Sequence, residues 1–384
     1  MRRCFAVIGV LGLGLACMWL WGCFAPGLAP SPSYVTVRMY IHEGSETGPL
    51  IIGARVQGYD AAGNPFDRST NSSGYAQITG IPGLWHFTVS KTGYHTIAWD
   101  QSITQDCQLD VCLEDVCAGE TGNIRETYCW WGDYFHKWEL VWDIPRYLYC
   151  RSRFADVPRS GDFPWYGNAK LVKWPEDDEF ILELALAINS PYSDYYERAT
   201  NTLHFVQALM PYVEDVGDYW QTPVETLVLQ KGDCEDGTIL LVALLYALRF
   251  PVCFGAYWNP ITQPPKGHSF GLVQVSQEWV NAHTGPFNKC WWMGCWTILK
   301  RTTDGTLWAM AETTVDPDGP IDMEYVGLGC GTIPETATVK IFDVETGADL
   351  SPEFQRLEKP CNCSSNSPNL APKGVSWVGL KGYL

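Results

Sequence analysis

A cysteine, a histidine and a carboxylate, each from a different stretch of the chain, are the residue types here that suit nucleophilic attack on a carbonyl. Cys234 follows Gly232-Asp233 and opens the run Cys234-Glu235-Asp236. Behind it, Ile239 to Leu248 is apolar nearly all round, which predicts a buried helix with Cys234 in its first turn. The N–H groups of such a turn have no intrahelical acceptor, so they favour a thiolate and can face a developing oxyanion. A thiol attacking a carbonyl needs a base, and the base needs an orienting partner. His268, in Lys266-Gly267-His268-Ser269-Phe270, opens a predicted strand. Glu312 closes Trp308-Ala309-Met310-Ala311-Glu312, where a period of two puts Trp308, Met310 and Glu312 on one face. If those two strands are neighbours, the carboxylate takes one ring nitrogen and leaves the other for the sulfur.

Each residue also has a plainer reading. Cys234 suits a structural or disulfide role, and its acidic neighbours raise a thiol pKa against the helix effect. His268 alone is an ordinary strand histidine, and Glu312 alone a solvated or ion-paired acid. Asn281, in Trp279-Val280-Asn281, is the rival orienter, because an amide fills that role in Cys-His-Asn proteases. Trp220, Trp279 and Trp308, with Trp291, Trp292 and Trp296, either wall a peptide cleft or fill cores and cap loops. His204 and His283 read as structural or surface residues. Asp316, Asp318 and Asp322 suggest calcium, but their spacing is not that of an EF-hand loop, and a solvated acidic turn is the better reading. His42, His86 and His95 read as strand residues, so no metal and no cofactor are expected.

The elements that must hold this set are legible in outline. Residues 24–33 form a Pro/Ser tether after a leader at 1–23. Strand-like runs at Val35–Ile41, Gly53–Tyr59, Tyr75–Ile78 and Leu84–Val89 alternate with Gly-rich turns, which predicts an all-β sandwich over 34–115. Residues 116–174 are a connecting segment rich in aromatics and cysteine, which either wraps the next domain or lines its cleft. Helices are expected from Pro175 and from Tyr195 to a stop at Pro211. A short approach at Glu225–Val228 leads to the Cys234 helix. Strands at Val252–Tyr257, Ser269–Val275, Leu307–Glu312 and Ala337–Phe342 complete an α+β domain over 175–345. Residues 346–384 are expected to be an irregular tail.

The stretch TLVLQKGDCEDGTILLVALLYALRFPV resembles the Gly-x-Cys helix of transglutaminase-like proteins, GHSFGLVQV is similar to their His motif, and LWAMAETT to their acid-containing strand. The resemblance runs over roughly 175–316. It implies a papain/transglutaminase-like fold, with a core helix against an antiparallel sheet. It further implies a bacterial or archaeal cysteine protease-like activity with Cys234, His268 and Glu312 as nucleophile, base and third member. The implied reaction is acyl transfer through a Cys234 thioester, ending in hydrolysis or, with an amine acceptor, in crosslinking. The family usually carries Asp at the third position and a shorter gap after the His. GARV…SGYAQITGIPGLWHFTVSKTGY resembles carboxypeptidase-regulatory-like or prealbumin-like modules, which implies spacing or adhesion. An inactive surface binding or scaffold protein is the alternative.

Composition narrows the partners. Among 384 residues, 43 Asp and Glu against 26 Lys and Arg leave a charge of -17, which excludes a continuous phosphate-binding groove and so nucleic acid. A peptide or protein substrate is the expected partner. Arg2-Arg3 and the apolar run Cys4–Trp21 read as an export leader. Leu20-Trp21-Gly22-Cys23 resembles a lipoprotein box, so plain secretion, a lipid on Cys23 and an uncleaved anchor all fit, each extracytoplasmic. Fifteen cysteines agree with export and with disulfides, Cys290–Cys295 looking like a local staple. Beyond the leader and Cys234 eleven remain, an odd number, and Cys253 is expected to be a buried free thiol.

Overall fold

The computed structural model describes residues 33–357 except 133–135, 156–169, 176, 214–218, 261–265, 284–296, 315–332 and 335. Helices and antiparallel sheets make an α+β arrangement. The chain divides into two compact units. One is Met1–His42 with Pro49–Val89 and Ile97–Val111; the other is Glu43–Gly48 with Ser90–Thr96 and Cys112–Leu384.

The first unit is built on β1 (Val35–Glu43), β2 (Arg55–Tyr59), β3 (Pro65–Ser69), β4 (Tyr75–Gly80), β5 (Gly83–Ser90), β6 (Ile97–Ile103) and β7 (Cys107–Leu113). They form two sandwich-like sheets, β4-β1-β7 and β3-β2-β5-β6. Alternation explains which side faces in: β1 buries Val35, Val37, Met39 and Ile41, and β5 buries Trp85, Phe87 and Val89. Phe87 packs between Trp85 and Trp99, at 5.8 and 5.2 Å between ring centroids. His42 and His86 pair with Asp110 and Asp100 at 3.2 and 2.7 Å.

In the second unit, the segment expected to connect is a hairpin, β8 (Asn123–Trp131) and β9 (Lys137–Pro145), followed by α1 (Arg146–Ser152). It is part of the core. Tyr128 and Trp130 stand edge-on to Phe205 at 5.5 and 5.2 Å. Their polar ends are satisfied by Leu227 O at 3.1 Å and Asn201 Oδ1 at 2.8 Å, as buried Tyr and Trp require. A disulfide joins Cys117 to Cys150. Cys253 is a buried free thiol; Cys290 and Cys295 lie outside the described residues.

The helices α2 (Asp178–Ile188), α3 (Tyr195–Leu209) and α5 (Cys234–Ala247) follow the expected pattern; the short approach to Cys234 is itself a helix, α4 (Pro223–Leu229), and α6 (Gln277–His283) is a helix that the sequence reading did not expect, with Asp194 and Thr222 capping α3 and α4. The sheet contains β10 (Val252–Asn259), β11 (Lys266–Val275), β12 (Ile298–Arg301), β13 (Leu307–Ala311), β14 (Thr338–Asp343) and β15 (Phe354–Arg356), in the order β14-β10-β11-β13-β12-β15. Its two faces bury different sets. Phe254, Ala256, Val273, Ala309 and Ala311 pack with the helices, while Cys253, Phe270, Leu272, Trp308 and Met310 form a smaller core. β15 lies in the stretch expected to be irregular. Phe354 packs edge-on to Trp308 at 5.7 Å and Arg356 pairs with Leu299, which draws this piece onto the sheet.

Candidate active site

Cys234 is the first residue of α5, a helix buried from Cys234 to Leu245 and therefore fixed on all sides. Its entry is held by Asp236, whose Oδ2 accepts the Asp233 N–H at 3.3 Å and whose Oδ1 accepts the Gln221 N–H at 2.7 Å. Cys234 is in no disulfide and is buried, 8% exposed as a residue. Its thiol donates to Glu235 Oε2 at 2.9 Å. Burial, with the charges of Glu235 and Asp233, pushes the thiol well above its ordinary range, and the Ser269 N–H opposes them. Cys234 makes no hydrogen bond to His268.

β11 and β13 are direct neighbours, paired antiparallel through Gly271↔Ala311. His268, near the start of one, and Glu312, just past the end of the other, therefore meet: Nε2 lies 2.6 Å from Oε2. Burial disfavours the charged ring, but the charge and hydrogen bond of Glu312, helped by the charge of Glu235, raise the His268 pKa above its ordinary value. Burial likewise disfavours the Glu312 charge; His268 and two hydrogen bonds from Thr314 outweigh it and hold the carboxyl below its usual range. Because Nε2 is engaged by Glu312, any base chemistry of this ring would fall to Nδ1.

Neighbouring elements fix this pair. Thr314 gives its N–H and Oγ1–H to Glu312 Oε1 at 2.9 and 2.7 Å. Gln207 Nε2 on α3 donates to Glu312 O at 2.7 Å. Thr238 on α5 lies 3.4 Å from Thr313, Oγ1 to Oγ1. Tyr257, in register with His268 across β10 and β11, packs its ring 5.3 Å away, tilted by 51°. Burial, then the Glu312 and Cys234 charges, push its hydroxyl up to about 12, so Tyr257 borders both groups.

Glu312, not Asn281, stands on His268; Asn281 lies on α6 and accepts from Gln277 Nε2 at 2.9 Å. Trp220 and Trp279 are buried in the helix-side core and Trp308 in the smaller one, so these rings fill cores. Asp316, Asp318, Asp322, Trp291, Trp292 and Trp296 lie outside the described residues. Asp233, Cys234 and Glu235 bring one ligand atom each within 4.8 Å of one another, and the thiol–carboxylate hydrogen bond lies inside that cluster. Glu235, Tyr257, Gln207 and Thr314 escaped the sequence reading. Only the adjacency of Glu235 to Cys234 gives a signal in the sequence, as a charge beside the thiol.

No family model matches the chain and no curated protein does. Among solved structures it is similar to a candidate cysteine protease from Cytophaga hutchinsonii, at 10% identity over 81% of this chain and 74% of that one, with a TM-score of 0.27. A candidate protease from Parabacteroides distasonis aligns at 12% identity over 63% and 65%, with a TM-score of 0.25. A 3-chlorocatechol 1,2-dioxygenase from Rhodococcus opacus aligns at 10% identity over 22% of this chain, with a TM-score of 0.20. This chain spans less than two thirds of the dioxygenase, 61% of its length. Likenesses this slight carry no argument about reaction.

Proposed function

We propose that the chain hydrolyses peptide amide bonds in the manner of transglutaminase-like cysteine proteases, with Cys234 as nucleophile, His268 as base and Glu312 as its orienting acid. One observation carries the reading: the part-buried His268–Glu312 pair, 2.6 Å apart with Nδ1 left over, beside a helix tip whose cysteine is in no disulfide. In the proposed reaction the sulfur bonds to the carbonyl carbon as its proton passes to Nδ1. The first-turn N–H groups of α5 receive the oxyanion. The C–N bond then breaks, the imidazolium returning its proton to the amine, and water cleaves the thioester with the same nitrogen as base. An amine in place of water would give crosslinking.

The N-terminal sandwich is proposed as a spacer and residues 175–345 as the catalytic domain. Export is proposed from the leader, and the Cys117–Cys150 disulfide suits an oxidising compartment. Among the described residues no helix is long and apolar enough to cross a membrane.

Incubation with an unstructured protein such as casein, read by mass spectrometry for new peptide termini, tests the reaction. A parallel sample with a labelled primary amine separates hydrolysis from transfer. New termini should vanish in Cys234→Ala and His268→Ala; cleavage that survives Cys234→Ala overturns the reading. One contact favours a second reading, a surface binding protein that has lost its chemistry: the thiol gives its hydrogen bond to Glu235 and not to His268. That reading expects no Cys234-dependent termini.

A further inference from the structure

The tip of a buried helix ordinarily favours a thiolate, because unpaired N–H groups and the helix dipole point at the sulfur. Here the same turn carries Asp233, Glu235 and Asp236, all buried. On the helix of Cys234, Glu235 accepts the thiol hydrogen bond at 2.9 Å and Asp233 adds a second negative charge. Asp236 is turned to the N–H groups of Gln221 and Asp233. From β11 come the Ser269 N–H, which favours the thiolate, and His268, whose Nε2 is committed to Glu312. From β10 comes the hydroxyl of Tyr257, and from the end of β13 the carboxylate of Glu312, both in reach of the site. Negative charge dominates around the sulfur, and the one hydrogen bond from its proton leads away from the base.

We propose that Glu235 is a further catalytic residue of this site, one that keeps the proton on Cys234 until substrate arrives and then shares the charge formed on His268. The proposal rests on the reading of Cys234 and His268 given above. In the resting site the S–H donates to Glu235. When a carbonyl carbon comes within reach, the S–H turns to Nδ1 of His268. The S–H bond breaks as the S–C bond forms, the proton passes to Nδ1, and the carbonyl π pair moves to oxygen. No thiolate is held in advance of this step. The charge of Glu235, which opposes a thiolate, favours the imidazolium, so the same carboxylate penalises the idle ionised state and supports the product of proton transfer. Glu312 supports that imidazolium from the other nitrogen.

This arrangement suits a chain that also holds a disulfide. Disulfide exchange and oxidation proceed through the thiolate. A nucleophile kept as a thiol stays intact under conditions that make Cys117–Cys150, while Cys253 is protected by simple burial.

The test is the pH dependence of iodoacetamide labelling of Cys234 in the full chain with its disulfide intact, read on the Cys234 peptide by mass spectrometry. Wild type, Glu235→Gln and Glu235→Asp are compared, and the buried Cys253 serves as an internal measure of folding. In wild type the labelling midpoint should lie above 9.0, the ordinary thiol value. In Glu235→Gln it should fall by about one pH unit or more, which raises the thiolate fraction about tenfold at neutral pH. The lower nucleophilicity of a more acidic thiol takes back about threefold, leaving labelling about threefold faster. Turnover should fall in the same variant, a combination that a merely structural side chain does not produce. Glu235→Asp should give an intermediate profile with Cys253 still slow to label. A Glu235→Gln profile that stays put or moves to higher pH, with Cys253 protected, overturns the proposal. If the profile shifts but hydrolysis survives Cys234→Ala, the hold of Glu235 on the thiol stands and the proposed reaction falls. If turnover needs Cys234 and His268 but the profile does not move, the reaction stands and the role of Glu235 falls.

Discussion

His268 and Glu312 pull each other's titration in opposite directions, and the signs define two pH windows. His268 is raised above 6.5, so its share of stability is complete below pH 6.5 and is lost as pH climbs through the raised value. Glu312 is held below 4.5, so its share is complete above pH 4.5 and is lost as pH falls through the lowered value. The pair therefore stabilises most between pH 4.5 and 6.5. The proposed catalysis needs the opposite state of the ring, a neutral Nδ1. The acid limb of kcat/KM should thus lie above pH 6.5, and Glu312→Gln should move it to lower pH while lowering the plateau. An acid limb at or below 6.5 in wild type would mean that His268 is not the titrating base. Removal of the proposed base, His268→Ala, should cost about 10²–10⁴-fold in kcat. Truncating Glu312 to Ala removes one partner of a part-buried pair and leaves His268 without it, which should lower stability by about 3 kcal/mol at most, read by urea unfolding.

α5 carries Cys234, the proposed nucleophile, at its tip and also supports the turn that holds Glu312. Gly237 shows how close the helix and the end of β13 lie, since a Cβ there would stand 2.9 Å from Thr313 Oγ1 and 3.0 Å from Thr313 Cβ. Two effects compete in Gly237→Ala. Ala is better than Gly in a helix interior by about 1 kcal/mol, whereas overpacking a tight contact costs about 1–3 kcal/mol. Thr313 is β-branched and 2% exposed, flanked by the Gln207–Glu312 and Thr314–Glu312 hydrogen bonds. It has little room to give, so the clash should win. Gly237→Ala should be less stable by roughly 1 kcal/mol, with a lower kcat because the Glu312 turn shifts. A more stable variant with unchanged kcat would show that the contact relaxes freely.

At the scale of the whole chain, the sequence was most informative where apolar period and capping agreed. The α3 bounds, the all-apolar α5 and the strands that became β10, β11 and β13 could be read because each uses its own local signal. The meeting of His268 with Glu312 was legible as a condition on strand adjacency, which the β11–β13 pairing meets. What escaped depends on contacts distant in sequence, such as the docking of the β8–β9 hairpin on Phe205, or on side-chain rotamers, such as the turn of the Cys234 thiol toward Glu235.

Disulfide connectivity belongs to the contacts that spacing cannot supply. The Cys117–Cys150 bridge closes a span of 33 residues between the segment after β7 and α1. Near it, Asp115 accepts from Tyr147 Oη at 2.8 Å and lies 3.5 Å from Arg151 Nη1. A loop of that length constrains the unfolded chain by about 3–4 kcal/mol. The Cys117→Ser/Cys150→Ser variant, which leaves neither thiol to mispair, should lose about that much in urea unfolding. Reductant should lower the stability of wild type and leave the double variant unchanged. The bridge lies on a separate segment from α5, β11 and β13, so kcat of the folded double variant should equal that of wild type. Unequal stability with equal kcat would assign the bridge to scaffolding; a kcat that falls with it would tie the α1 segment to the site.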